Sequence, residues 1–439
     1  MLTTFRAEPA LRPVFLADAA ANAAWAVMLA VLTALGLVVG RKAGADAMLL
    51  GAAVSVNYAS ALFSGWLPLL CRRWPLGGVM MALRLLASLS LLPMLVAPSL
   101  PTLMIGYAGV LLLGGISDAA YPALLNVVYP NAAHTRVMSL IFTVRALAAF
   151  LFTMLIGWLL TGRPLDVAIR ALGGLCVFGF LAVAAMWRFR GVREEATGED
   201  AGASGAQDAG EESDAPGTQD AGEDTGAPGE APLRNRAFLW YLVALTFFGS
   251  GGIVGTVAWP VMVADADAFA LTFGQVGVLS ALMSVAQMGA YLYMSRHGRV
   301  GDENRQLILP YALTAVNMLI SLLLLALGVR GGLAFLLLLP GLIVTNIGYG
   351  LQAVYFYLVV NAMAGRGAVL RYQAVQNVAV GVRGVLVPLA AGWLLGAAGL
   401  IPTVAAAAAL MLLGAVLAWA RLPGTERRPP RPPRDGQTA

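Results

Sequence analysis

Long apolar stretches separated by short polar turns dominate the hydropathy pattern of this chain. A helix needs ~20 residues to cross a bilayer, and each stretch reaches that length. Because hydrocarbon offers no partners to backbone N–H and C=O groups, such stretches can only be spanning helices. The pattern predicts an all-α integral membrane protein of twelve transmembrane helices in two six-helix bundles. We place the spans at 13–39, 46–71, 77–97, 101–128, 136–161, 166–189, 236–263, 271–294, 304–328, 332–361, 371–396 and 398–420.

A change in composition divides the spans six and six. Residues 194–230 hold twelve acidic residues, no basic or aromatic residue, and many Gly, Ala and Pro. Such a segment cannot bury enough apolar surface to fold, which predicts a disordered cytoplasmic tether. The chain is predicted to contain four parts: a first bundle (1–190), an acidic Gly/Ala/Pro linker (191–235), a second bundle (236–421) and a basic, proline-rich cytoplasmic tail (422–439).

The basic residues predict the orientation of the chain in the membrane. If both termini are cytoplasmic, 20 of the 28 Lys and Arg residues lie in inner loops, tails and helix ends, and five lie in outer loops. This positive-inside bias predicts a multi-pass protein of a bacterial cell (inner) membrane with both termini in the cytoplasm. The net charge of +5 therefore reflects topology and contact with lipid rather than nucleic-acid binding.

Few residues suggest catalytic or metal chemistry. The chain has two cysteines and two histidines, and no zinc-site spacing, nucleotide-binding loop or nucleophile elbow. We therefore expect a monomer with no cofactor, no metal and no enzymatic activity.

The two halves resemble each other in sequence. Shifting residues 113–160 by 235 positions lays them on 348–395 with 9 identities in 48, including Gly157-Trp-Leu-Leu160 on Gly392-Trp-Leu-Leu395. This relates spans 4 and 5 to spans 10 and 11. A parallel repeat of two six-helix halves is a transporter design, with the substrate site at mid-depth between the halves.

This organisation resembles the major facilitator superfamily (MFS) of secondary transporters over nearly the whole chain. The stretch from Gly65 to Trp74 keeps the glycine and paired arginines of that family's signature loop between helices 2 and 3, but lacks its aspartate. Residues 289–299 carry a similar vestige between spans 8 and 9. The resemblance implies alternating access around a cavity formed by helices 1, 4, 7 and 10, and leaves the subfamily open.

Charged residues within the spans are the first candidates for substrate or coupling sites, because charge is costly in a bilayer. Asp18 shares one face of span 1 with Asn22 and Trp25. Asp118 and Arg145 lie 13 and 14 residues either side of Asn131 in the 4–5 loop, which predicts an ion pair at similar depth in an antiparallel helix pair.

Three further sets of residues extend the candidates. Arg383 on span 11 has no acidic counterpart on span 10, so we expect it to contact amides, backbone carbonyls, water or an anionic substrate. Arg84 is expected to lie nearer the inner surface, where its side chain extends to the headgroups or supports the 2–3 loop. The remaining candidates are Tyr121, Trp259 and the polar and aromatic stripe of span 10, namely Asn346, Tyr349, Gln352 and Phe356.

These features predict a secondary active transporter that moves a small organic, amphipathic solute, with protons as the coupling ion (symport or antiport) and efflux as the direction. The first alternative is uptake of a metabolite anion through Arg383. The second is an MFS-like receptor or scaffold that transports nothing.

Overall fold

A computed structural model describes residues 11–63, 67–129, 131–192, 232–297, 307–364 and 369–422. That part of the chain is helical and contains no β-strand. Its α-helices are α1 (Leu11–Lys42), α2 (Ala47–Phe63), α3 (Leu67–Arg73), α4 (Leu76–Leu89), α5 (Leu92–Val96), α6 (Leu100–Val128), α7 (Asn131–Leu160), α8 (Leu165–Gly174), α9 (Cys176–Met186), α10 (Arg236–Ala264), α11 (Phe273–His297), α12 (Ile308–Ala326), α13 (Gly331–Ala364), α14 (Val369–Ala398) and α15 (Leu400–Arg421).

The helices confirm the predicted all-α membrane architecture. Eleven helical segments in the described ranges are long and apolar enough to cross a membrane, and α2 is a shorter apolar helix of 17 residues. Together they occupy the twelve predicted spans. The acidic linker from 193 to 231 and the tail from 423 lie outside the described residues, so the domain boundaries stay predictions.

Spans 3 and 6 are each divided into two helices. Span 3 consists of α4 and α5, because Pro93 lacks an N–H and its ring clashes with the carbonyl of Leu89, the last residue of α4. Span 6 consists of α8 and α9, which meet at Leu175 after two glycines, the weakest helix formers apart from proline.

The helix contacts repeat between the two halves. In the first half α1 packs against α9, α4 against α6, and α2 against α6. The equivalent pairs in the second half, α10 with α15, α12 with α13, and α11 with α13, also pack together. The two six-helix bundles are therefore pseudo-symmetric.

The most extensive contacts between the halves are along two helix pairs, α2 with α14 and α7 with α11. Both crossings depend on glycine: a Cβ at Gly51 would lie 2.4 Å from the Pro388 carbonyl oxygen, and one at Gly157 would lie 2.8 Å from that of Phe273. Near these crossings, Arg41 at the end of α1 forms an ion pair with Asp265, the residue after α10. Its Nε donates to Oδ1 at 2.8 Å and its Nη2 donates to Oδ2 at 2.7 Å. We call this end, where α1 connects to α2 and α10 to α11, the loop end. The opposite end is the terminal end.

Candidate functional site

A cavity of about 340 Å³ lies between the two halves. Helices α1 and α7 line it from the first half, and α10, α11, α12, α13 and α15 line it from the second. The lining residues nearest the loop end are Ala34, seven residues before Arg41, and Trp259, six residues before Asp265, so the cavity stops roughly 9–11 Å short of the ion pair. No charged side chain is among the described residues that line it.

Hydroxyl groups supply much of the polar lining. Thr33 and Thr153 belong to the first half, and Thr256, Ser280 and Ser284 belong to the second. The hydroxyls of Thr33, Thr256 and Ser284 each donate to the backbone carbonyl four residues earlier, at 2.9, 2.9 and 3.5 Å. A hydroxyl whose hydrogen is occupied still offers oxygen lone pairs. The wall is therefore suited to a solute that donates hydrogen bonds.

Two amide side chains contribute to the same wall. The Nε2 group of Gln287 donates to Oδ1 of Asn346 at 3.0 Å, and Nδ2 of Asn346 donates to the Leu342 carbonyl at 2.8 Å. Asn346, a predicted candidate, thus lies behind the wall and fixes the orientation of Gln287. Asn317 also lines the cavity, and its buried Oδ1 has no hydrogen-bond partner among the described residues.

Aromatic and sulfur-containing side chains complete the lining. Trp259 and Tyr349, both predicted candidates, lie in the wall together with Met283, Met318 and Met411. Methionine is flexible and polarizable, so it adapts to apolar surfaces of different shape. The lining therefore combines acceptor oxygens with adaptable apolar surface.

Asp18, Asn22 and Tyr121 come together, but outside the cavity. The Asp18 carboxylate is buried and accepts hydrogen bonds from Asn22 Nδ2 at 2.7 Å and from Tyr121 Oη at 3.0 Å. Tyr129, which the sequence analysis did not include, adds a third donor at 3.1 Å. Asp18 is 15 residues from Thr33 along α1, or ~22 Å, so this cluster lies toward the terminal end.

The Asp118–Arg145 ion pair is present, with Arg145 Nη2 at 3.3 Å from Oδ2. The expectation for Arg84 was wrong. Arg84 is fully buried, its Nη2 lies 3.3 Å from Asp118 Oδ1, and its guanidinium stacks over the buried Trp25 ring at 4.9 Å. Its Nε also donates to Ser117 at 3.2 Å. One carboxylate therefore bridges two arginines, because α4 brings Arg84 against α6.

Arg383 lies between α14, α10 and α2, and is not part of the cavity lining. Its Nη1 donates to the Leu245 carbonyl on α10, one of the partner types expected from the sequence. The guanidinium occupies the space where a Cβ at Gly249 would lie. Gly252, one turn further along α10, lines the cavity, so Arg383 is about one turn away on the terminal side.

The remaining candidates on α13 do not line the cavity. Gln352 and Phe356 are half-buried, beyond Tyr349 toward the terminal end. Sequence reasoning missed Ser280, Ser284 and Gln287, although they recur at intervals of four and three on α11. The test for a polar stripe that was applied to span 10 would have found them on span 8.

Comparison with solved structures identifies the fold. The chain is similar to a bacterial homologue of the human lysosomal transporter Spinster in an inward-facing, unoccupied conformation (TM-score 0.62, 12% identity, 94% of this chain and 97% of that chain). It is also similar to the nucleoside transporter NupG (TM-score 0.67, 12% identity, 92% and 98%) and to a D-xylose–proton symporter (TM-score 0.67, 12% identity, 94% and 98%).

Sequence comparisons add no closer relative. No protein-family model matches the chain, and no curated protein matches it. The structural likeness, at 12% identity, therefore carries the assignment of the fold. The two pseudo-symmetric bundles of this chain have the fold of the MFS transporters, as its sequence predicts.

Proposed function

We propose that this protein is a secondary active transporter that moves a small amphipathic, uncharged organic solute by alternating access. The observation that carries the proposal is the cavity shared by both halves, together with the Arg41–Asp265 ion pair that joins the halves at the loop end. In such a fold, rocking of one half against the other around a fixed central site exposes it to each side in turn. The transporters of similar fold support the same conclusion.

The lining supports the choice of solute. Its volume is at the small end of the range for small-molecule sites, ~300–1,000 Å³. Acceptor oxygens from threonine and serine favour hydroxyl or N–H groups on the solute, and the methionines and Trp259 favour an apolar body. The absence of charge from the described lining favours an uncharged solute over the metabolite anion of the alternative hypothesis.

Proton coupling and export are the finer parts of the proposal. Asp18 is held by three hydroxyl or amide donors and has no ion pair within the described ranges. Protonation of Asp18 would therefore not break a salt bridge, which makes it the candidate for the coupling site. With both termini in the cytoplasm of a bacterial cell, the loop end faces outward, the Arg41–Asp265 pair joins the halves on that side, and the solute is loaded from the cytoplasm.

Flux in proteoliposomes tests the proposal. Uncharged amphipathic compounds that raise the unfolding temperature of the purified protein would be assayed for flux under an imposed pH gradient of either sign. Ser284→Leu should fill part of the cavity and abolish flux, whereas Val285→Leu, at the neighbouring exposed position, should preserve it. Equal flux in both variants would refute the cavity as the site.

A labelling experiment tests the orientation separately. A cysteine at Ala215, with Cys71 and Cys176 replaced, should resist impermeant maleimide added to intact cells and react after lysis. Labelling in intact cells would reverse the assigned topology.

A further inference from the structure

No carboxylate in the described part of the chain balances the charge of Arg383. Among the described residues, the ion pairs join Arg41 to Asp265, Arg84 and Arg145 to Asp118, and Arg330 to Asp267, and none includes Arg383. Its Nη1 is bound to a backbone carbonyl, and its buried Nε has no partner there. A positive charge on a spanning helix is costly unless an anion or a polar network compensates it.

Two buried tyrosine hydroxyls lie close to this charge. Tyr241 on α10 and Tyr311 on α12 are completely buried, both lie near Arg383, and both hydroxyls lack a hydrogen-bond partner among the described residues. The ring of Tyr311 stacks on Phe248 at 3.9 Å, which fixes its position beside Gly249. Buried hydroxyls normally have partners, so two such groups beside an unbalanced arginine are a specific feature of this region.

The surrounding helices leave space for the guanidinium. The Arg383 guanidinium packs against Gly249, where a Cβ would overlap it. Tyr58 of the first half packs against Gly384 in the same way. Tyr58 also lies near Arg383. Arginine is therefore held at the contact between the halves, one turn of α10 from the solute cavity.

We propose that Arg383, Tyr241 and Tyr311 form a binding site for a small oxyanion of the carboxylate or phosphate class. The guanidinium balances the negative charge, and Nε and the two hydroxyls supply hydrogen-bond donors for its oxygens. The site goes beyond the proposed function: it is distinct from the uncharged cavity and lies on its terminal side. Tyr58 places it where movement of the first half against α14 changes its surroundings.

Anion binding to the purified full-length protein tests this site. Sodium phosphate or sodium acetate would replace sodium chloride at constant ionic strength while the unfolding temperature is recorded. Both anions should raise it saturably, since a ligand that binds the folded state stabilises it. Arg383→Gln should abolish the rise, and Arg330→Gln, which removes an exposed arginine, should preserve it.

The tyrosines provide a test that keeps the charge. Tyr241→Phe and Tyr311→Phe remove one donor each at nearly constant volume, so each should raise the half-saturating concentration roughly 2- to 10-fold, as expected for one hydrogen bond. These variants remain informative if Arg383→Gln fails to fold. An unchanged anion response in both, or a wild-type protein with no saturable response, would overturn the proposal.

Uptake measurements separate the two sources of such an anion. Accumulation of radiolabelled acetate or phosphate in proteoliposomes, abolished by Arg383→Gln, would mean that the site takes the acidic group of a transported solute. Binding without accumulation would mean that it holds a free anion. Both results support the site, and because binding is measured without flux, its failure is distinguishable from failure of the proposed transport.

Discussion

Removing the Asp118 charge should be more damaging than removing Arg145. Asp118→Asn leaves the fully buried Arg84 without its bound carboxylate, whereas Arg145→Gln leaves Asp118 still paired with Arg84. The exposed fractions of the side chains decide the order: 0% for Arg84, 18% for Arg145 and 25% for Asp118. The pair that includes Arg84 is therefore less screened by solvent.

The expected magnitudes follow from burial. An unpaired arginine near the centre of a bilayer costs ~3 kcal/mol on insertion scales, and breaking a buried pair costs ~3–5 kcal/mol. Arg84 keeps the Ser117 hydrogen bond and the Trp25 ring, so we expect Asp118→Asn to lower the free energy of unfolding by about 3 kcal/mol. Arg145→Gln should cost about 1 kcal/mol or less, as for a partly exposed pair.

A double-mutant cycle measures these couplings. Equilibrium unfolding in mixed micelles, followed by tryptophan fluorescence, would be recorded for Arg84→Gln, Asp118→Asn and the double variant, and then for the corresponding Arg145 cycle. We expect a coupling of about 2 kcal/mol for Arg84 with Asp118 and below about 1 kcal/mol for Arg145 with Asp118. Asp267→Asn, at a fully exposed position, is the control. Additive effects in the Arg84 cycle, or an equal cost for Arg145→Gln and Asp118→Asn, would refute this reasoning.

Three further predictions concern the loop end and the linker. Arg41→Gln should raise the population with an open loop end about 2- to 5-fold, because an ion pair of this exposure contributes under ~1 kcal/mol. Spin-label distance measurements would detect the change. The exchange Arg41→Asp with Asp265→Arg should return the population to that of the wild type. Gly157→Ala should lower stability by ~1–3 kcal/mol because its Cβ meets the α11 backbone, and Gly174→Ala, with open space, should not. Deleting residues 207–218, one copy of the linker repeat, should leave the unfolding temperature unchanged; a large decrease would show that the segment packs against the bundles.

Much of the fold could be predicted because a bilayer restricts the chain to spanning helices. Even the breaks within spans 3 and 6 have local causes, Pro93 and the pair Gly173 and Gly174, that are visible in the sequence. The Asp118–Arg145 pair was also predictable, since two helices joined by a short turn must be antiparallel and residues equidistant from the turn share a depth.

Contacts between helices that are distant in sequence were not predictable in this way. Arg84 meets Asp118 because α4 packs against α6 at one particular rotation, and the sequence of α4 alone does not specify it. Asn346 was recognised as a candidate, but its contact with Gln287 depends on the packing of α11 against α13. The role of a polar residue on a spanning helix thus depends on which neighbour it faces.

A glycine shared by the two copies of the internal repeat lies at each of the two crossings between the halves. Gly157 approaches the backbone of α11, and Gly392, its counterpart in the repeat, approaches the backbone of α2, where a Cβ would lie 2.6 Å from a carbonyl oxygen. The tryptophans that follow, Trp158 and Trp393, are 70% and 65% exposed, as suits side chains at a membrane interface. The cavity shows no such symmetry, because most of its lining comes from the second half. The two halves are therefore alike where they contact each other, and they differ in what they contribute to the lining of the cavity, which is the proposed solute site.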